Sequence, residues 1–135
     1  MKLVVDTNCL LSALIKSAKS REIICSPKVT LYAPEHIITE SINDRGEISD
    51  KAGLAESEFD ELISTLLANV AIVPESEFKQ YKEQALTLVK HPEDAPFLAL
   101  SMAKGIPLWS NDKELKQQTN VKVFSTGNLV KDFGL

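Results

Sequence analysis

Short β-branched runs alternate along the chain with longer segments of helical period, which predicts an α/β fold built on a mostly parallel sheet. Length agrees: 135 residues with 44% hydrophobic side chains suffice for one core and leave too little for a second. In chain order, Lys2–Val5 reads as the first strand, and Leu10, Leu11, Leu14 and Ile15 mark a helix after it. Residues 29–33 follow as a strand, and Ile37, Ile38 and Ile42 mark a helix whose start is assigned to Pro34, a residue favoured in the first helical turn. Residues 43–61 are charged and contain Gly46 and Gly53, so they read as a surface helix or arm. Phe59, Leu62, Ile63, Leu66 and Leu67 form an apolar stripe, Val70–Val73 a strand, and Phe78, Tyr81, Ala85 and Leu88 a second stripe. Residues 97–103 are apolar nearly all round and predict a buried helix, closed by Gly105 and Pro107. Strands at 106–109 and 122–124 complete the series.

Lys and Arg total 15 against 19 Asp and Glu, a formal charge of -4. That balance argues against a broad basic surface for nucleic acid or anionic lipid, but not against an enzyme with its acids gathered in one metal-binding cleft. Cys9 and Cys25 have no C-x-x-C spacing and read as buried free thiols of a reducing compartment. Asp6 interrupts the first apolar run, and no stretch approaches the roughly 18 apolar residues that span a bilayer. A soluble, cytoplasmic protein without membrane contact is expected.

In an open parallel sheet the ligand crevice lies beyond the carboxyl ends of the strands. Asp6 follows the first strand directly, and Asp112 follows the Pro-Leu-Trp-Ser strand after Asn111. Glu40 lies nearly two turns into the helix after Pro34, and Asp94 precedes Pro96 at the start of the buried helix. Topology alone therefore brings four carboxylates to one edge. Like charges so placed resist ionisation unless a cation fills the space between them. Oxygen-only ligands select Mg²⁺ or Mn²⁺, because His36 and His91 lack partners at zinc or iron spacing. Such an ion suits phosphate esters, activating a water and neutralising phosphoryl charge.

Each acid also has a purely structural reading. Asp6 and Asp94 can cap helices, Asp112 can be a turn acid, and Glu40 can be a solvated helix position; their joint placement favours a site. Asp44, Glu47, Asp50, Glu56, Glu58, Asp60 and Glu61 read as a solvated face. A phosphoaspartyl enzyme is a rival, but its phosphatase form wants a second acid where Asn8 stands, and its receiver form wants adjacent acids that are absent.

These motifs resemble the PIN domains, which include the VapC-type toxins of toxin-antitoxin pairs. The start Val-Val-Asp-Thr-Asn is similar to the family's strand followed by Asp-Thr-Asn, with Asp6 as the first metal acid and Asn8 as its supporting polar residue. Tyr32-Ala33-Pro34 followed by Glu40 resembles the second motif, Asp94-Ala95-Pro96-Phe97-Leu98-Ala99-Leu100 the third, and Trp109-Ser110-Asn111-Asp112 the fourth, with Ser110 at the usual Ser or Thr position. The likeness runs from Met1 to about Phe133. It implies one PIN domain over residues 1–135, with a three-layer α/β/α fold and a central parallel sheet of about five strands. It further implies an Mg²⁺- or Mn²⁺-dependent endoribonuclease of the toxin class, paired with a small antitoxin and dimerising through helices, for which the stripes around Phe59 and Phe78 are candidates. Asp6 and Asp94 would be the inner ligands, Glu40 and Asp112 would complete the site, and Asn8 and Ser110 would orient these carboxylates. Glu93 adjoins Asp94 and could share its role. Lys16 and Lys113 are the named RNA phosphate contacts, with Lys19, Arg21 and Lys116 as further cations on helices flanking that edge. The second reading is a PIN-fold nucleic-acid or protein binding module without significant catalysis.

Overall fold

The structure is a computed structural model describing residues 1–15 and 18–135. The run Lys2–Val5 forms strand β1, in which Leu3, Val4 and Val5 are fully buried. An apolar run covered on both faces marks the middle of a parallel sheet. Strands β2 (Thr30–Pro34) and β3 (Val70–Val73) lie on one side of it, and β4 (Leu108–Trp109) and β5 (Val123–Phe124) on the other. The order is β3-β2-β1-β4-β5, and every pairing is parallel.

The chain steps outward from β1 to β3 through helices α1 (Thr7–Ile15), α2 (Ala18–Ile24), α3 (His36–Asn43), α4 (Arg45–Ala52) and α5 (Glu56–Leu67). It then crosses back over β1 to β4 through α6 (Lys82–Leu88) and α7 (Ala95–Lys104), and ends in α8 (Thr126–Phe133). Right-handed crossovers in opposite directions place their helices on opposite faces of a sheet. The packing follows that rule: α1 rests against α2, α3, α4 and α5, whereas α7 rests against α6 and lies across β1, β2 and β4. The result is the three-layer α/β/α arrangement with a five-stranded parallel sheet. Trp109, Leu98 and Leu100 are buried at its centre. No helix among the described residues is long and apolar enough to cross a membrane.

Several boundaries differ from expectation for local reasons. Pro34 does not open a helix: it ends β2 opposite Val73, and the Glu35 N–H still donates to the Val73 carbonyl at 3.1 Å. A proline is tolerated at that strand end because the ladder toward β1 has already stopped, and α3 begins only at His36. The stripe from Phe78 starts as two single 3-10 turns, Glu75–Glu77 and Lys79–Tyr81, before α6. Spacing of three between Phe78 and Tyr81 fits both helix types. The expected strand at 106–109 shortens because the Ile106 N–H closes α7 on the Ser101 carbonyl, with Gly105 left-handed at φ 65°. The charged stretch at 43–61 is α4 and the start of α5, pinned by Arg45 to Asp60 at 2.7 Å and to Glu56 at 2.9 Å. Phe59 and Phe78 themselves are core residues, the use expected for most of the two stripes, so neither of these two side chains is itself a contact surface. Cys9 is buried as expected, but Cys25 falls just beyond α2 and is exposed; both thiols are free.

Candidate active site

The strand order reverses direction at β1, which lies between β2 and β4, so the crevice belongs at the carboxyl ends of β1 and β4. Val5 pairs with Trp109 in that register, and the Asp6 N–H continues the ladder to the Trp109 carbonyl at 3.2 Å. The next residues on the two strands, Asp6 and Ser110, therefore meet. A cleft of about 460 Å³ opens here, and Asp6, Glu40, Asp94 and Asp112 all line it.

Asp6 is nearly buried and serves two purposes. Its Oδ1 accepts the Cys9 N–H at 2.8 Å, capping α1, while the fully buried Ser110 hydroxyl bonds to the same carboxylate. The capping reading and the cleft reading are thus both realised, since a cap uses only part of a carboxylate's accepting capacity. Burial raises the Asp6 pKa, and the bonds from Ser110 and Cys9 oppose it. Ser110 also accepts the Asp112 N–H at 3.1 Å, and Asp112 Oδ1 accepts the Glu114 N–H at 2.8 Å, so the turn after β4 is held by its own side chains.

Glu40 reaches the cleft from α3, where its Oε1 accepts the Thr7 hydroxyl at 2.7 Å. His36 Nε2 is 3.7 Å from the same oxygen, too far for a hydrogen bond, and accepts or donates none among the described residues. Burial raises the Glu40 pKa, with the Thr7 bond acting against it. Asp94 precedes the first residue of α7. Burial and then the charges of Asp112, Asp6 and Glu93 push its carboxyl up to about 6.

Two further acids share the cleft. Glu93 lines it beside Asp94, and Asp44, expected on a solvated face, lines it as well. The signal for Asp44 lies in its spacing: it follows Glu40 by four residues at the end of α3, so the two point the same way. Asn8 is exposed on the lining; the donors seen on these carboxylates are the Cys9 N–H and the Ser110 hydroxyl on Asp6 and the Thr7 hydroxyl on Glu40. The expected cations fare differently. Lys113 is exposed in the turn after Asp112 rather than on a helix, whereas Lys16 lies outside the described residues. Lys19 pairs with Glu22, Arg21 donates to the Ala13 carbonyl at 2.9 Å, and Lys116 donates to Asn128.

Among the described residues, no three His, Cys, Asp or Glu side chains are already arranged to hold a metal ion together. The carboxylates face a shared space with room for an ion and its waters, rather than a closed cage. Carboxylates predominate in this open lining, with His91 beside them and 3.7 Å from Glu114, and a carboxylate-rich cleft of that kind fits Mg²⁺ or Mn²⁺, since Mg²⁺ keeps several waters and takes few protein carboxylates directly. The raised pKa values of Asp6, Glu40 and Asp94 record the repulsion and burial that a cation would offset.

The fold is similar to that of PAE2754 from Pyrobaculum aerophilum, with a TM-score of 0.75, 15% identity, and coverage of 99% of this chain and 90% of that one. It is also similar to a chain of VapBC2 from Rickettsia felis, crystallised bound to a DNA fragment from their promoter, with a TM-score of 0.67, 15% identity, and coverage of 93% and 98%. No curated protein sequence matches the chain. A family model described as PIN domain matches residues 4–129, a span that includes all four carboxylates and every strand but the first two residues of β1. With that match over nearly its whole length, the chain belongs to the PIN domain family.

Proposed function

We propose that this protein is an Mg²⁺- or Mn²⁺-dependent endoribonuclease that hydrolyses RNA phosphodiesters, with residues 1–135 acting as one catalytic domain and as the toxin of a toxin-antitoxin pair. The observation that carries the reading is the gathering of Asp6, Glu40, Asp94 and Asp112, far apart in sequence, around one cleft at the switch point of the sheet. PIN domains are generally nucleases, and membership of that family supports the reaction class.

In this reading Asp6 and Asp94 hold the ion, and Glu40 and Asp112 complete the site or hold a second ion. When bound, the ion supplies a water of lowered pKa and neutralises charge that builds on the phosphoryl oxygens. The chain's own contribution is positional. Cys9 and Ser110 fix Asp6, the turn after β4 fixes Asp112, and the start of α7 carries Asp94 into the cleft. Lys113, next to Asp112, is the phosphate contact proposed among the described residues. The likeness to VapBC2, bound to a DNA fragment from their promoter, supports a small antitoxin as partner, and a homodimer is proposed with it.

Incubation of purified protein with single-stranded and structured RNA, with and without Mn²⁺, tests the chemistry. Cleavage that needs Mn²⁺ and is lost in Asp6→Asn supports the assignment. RNA that is bound but left intact supports the alternative, a binding module without significant catalysis. Growth arrest on expression, relieved by the product of an adjacent small gene, tests the toxin role; harmless expression of an active nuclease overturns it.

A further inference from the structure

We propose that Thr7 is a positioning residue that holds Glu40 in the cleft through its hydroxyl, an inference that rests on the metal-dependent reading above. Thr7 opens α1 immediately after Asp6, and it is buried. A hydroxyl in the first turn of a helix ordinarily finds water or nearby backbone. Here it donates instead to Glu40 Oε1 at 2.7 Å, across 33 positions of sequence, joining the β1–α1 junction to α3. His36 Nε2 stands off at 3.7 Å from the same oxygen, beyond hydrogen-bond distance, so among the described residues Thr7 is the donor seen on it.

The bond has two consequences for the site. Glu40 has three rotatable side-chain bonds and remains partly exposed, so without a tether its carboxylate is free to swing toward solvent. The Thr7 bond takes one lone pair of Oε1, so Oε2 and the rest of Oε1 stay able to accept while the carboxylate is held in place. The dipeptide Asp6–Thr7 thereby governs two of the four carboxylates, Asp6 as a member and Glu40 as a tethered neighbour. Outer donors of this kind are worth about 10- to 100-fold in metal affinity when removed.

The test uses the whole protein and Mn²⁺ alone, with binding read by calorimetry and unfolding followed in parallel. Thr7→Val removes the hydroxyl and keeps the shape; it should weaken Mn²⁺ binding roughly tenfold or more, while Thr7→Ser, which retains the donor, should stay close to wild type. In RNA cleavage, Thr7→Val should raise the Mn²⁺ concentration for half-maximal rate more than it lowers the rate at saturation. On a Glu40→Gln background Thr7→Val should cost little further. Should Thr7→Val fail to fold, Thr7→Ala carries the same expectation. The inference is overturned if Thr7→Val binds Mn²⁺ like wild type, if Thr7→Ser is as impaired as Thr7→Val, or if the loss is as large on the Glu40→Gln background. A wild-type protein that binds no Mn²⁺ overturns the underlying metal reading, a distinct result visible before any variant is compared.

Discussion

Asp94 sits where burial and three neighbouring carboxylates act in the same direction, and its pKa near 6 lies above the 3.8 of an ordinary aspartate. Between about pH 4 and 6 the folded protein therefore holds a proton that the unfolded chain has released, so without metal this group's contribution to stability falls as pH rises through that window. Asp94→Asn should remove the penalty. Its melting temperature in chelator should exceed that of wild type at pH 7, with the gap closing as pH is lowered toward 4; a gap that is constant or reversed would contradict the cause assigned to the shift. Asp6 allows a different separation, because Asn caps a helix about as well as Asp. Asp6→Asn should thus leave thermal stability near wild type in chelator while abolishing Mn²⁺ binding by calorimetry. A large loss of stability would mean that capping, rather than cleft charge, is what the carboxylate chiefly supplies.

Except for Glu40, inside α3, the cleft carboxylates stand at or just beyond element ends, and those ends explain what could be read in advance. Asp6 and Asp112 were legible because each lies shortly after a short apolar strand, Asp6 directly after β1 and Asp112 three residues beyond β4, and parallel pairing brings the two strand ends together. Asp44 was not, because it stands at the head of a charged run and only the actual end of α3 shows that it shares a face with Glu40. Helix α8 was also unforeseen, although Ser125 and Asn128 cap it reciprocally, each accepting the other's N–H at 3.0 Å. That helix matters to the site. Thr126 Oγ1 accepts the Trp109 indole N–H at 3.0 Å and Asn111 Nδ2 at 3.1 Å, and the Thr126 N–H donates to Asn111 Oδ1 at 2.8 Å. These bonds tie the segment leading into Asp112 to α8. Thr126→Val leaves the buried indole unpaired and should cost about 1–3 kcal/mol in denaturant unfolding, largely recovered in Thr126→Ser. Equal loss in both variants would place the effect in packing instead.

The chain's net charge of -4 acquires a location once the cleft is described. Asp6, Glu40, Asp44, Glu93, Asp94 and Asp112 take six of the 19 acids, so thirteen remain against fifteen Lys and Arg, and the protein outside the cleft is slightly basic. Fold class follows from the alternating runs, which is why it was readable; the strand order was not read in advance, and neither was the count of cleft acids, because that depends on side chains meeting across α3, α7 and the turn after β4. That distribution predicts that divalent ions strengthen RNA binding by neutralising the repulsive cleft. In chelator, wild type should bind a non-cleavable RNA weakly and an Asp94→Asn, Asp112→Asn variant more tightly; equal affinity for the two would show that the cleft lies off the RNA path. Whether the four carboxylates act together on one cation is open to a single observation, the anomalous difference map of crystals soaked in Mn²⁺. A peak in the cleft within coordinating distance of Asp6 and Asp94 is expected, vanishing in Asp6→Asn. A map with no peak there, or with Mn²⁺ bound only elsewhere on the surface, would contradict it.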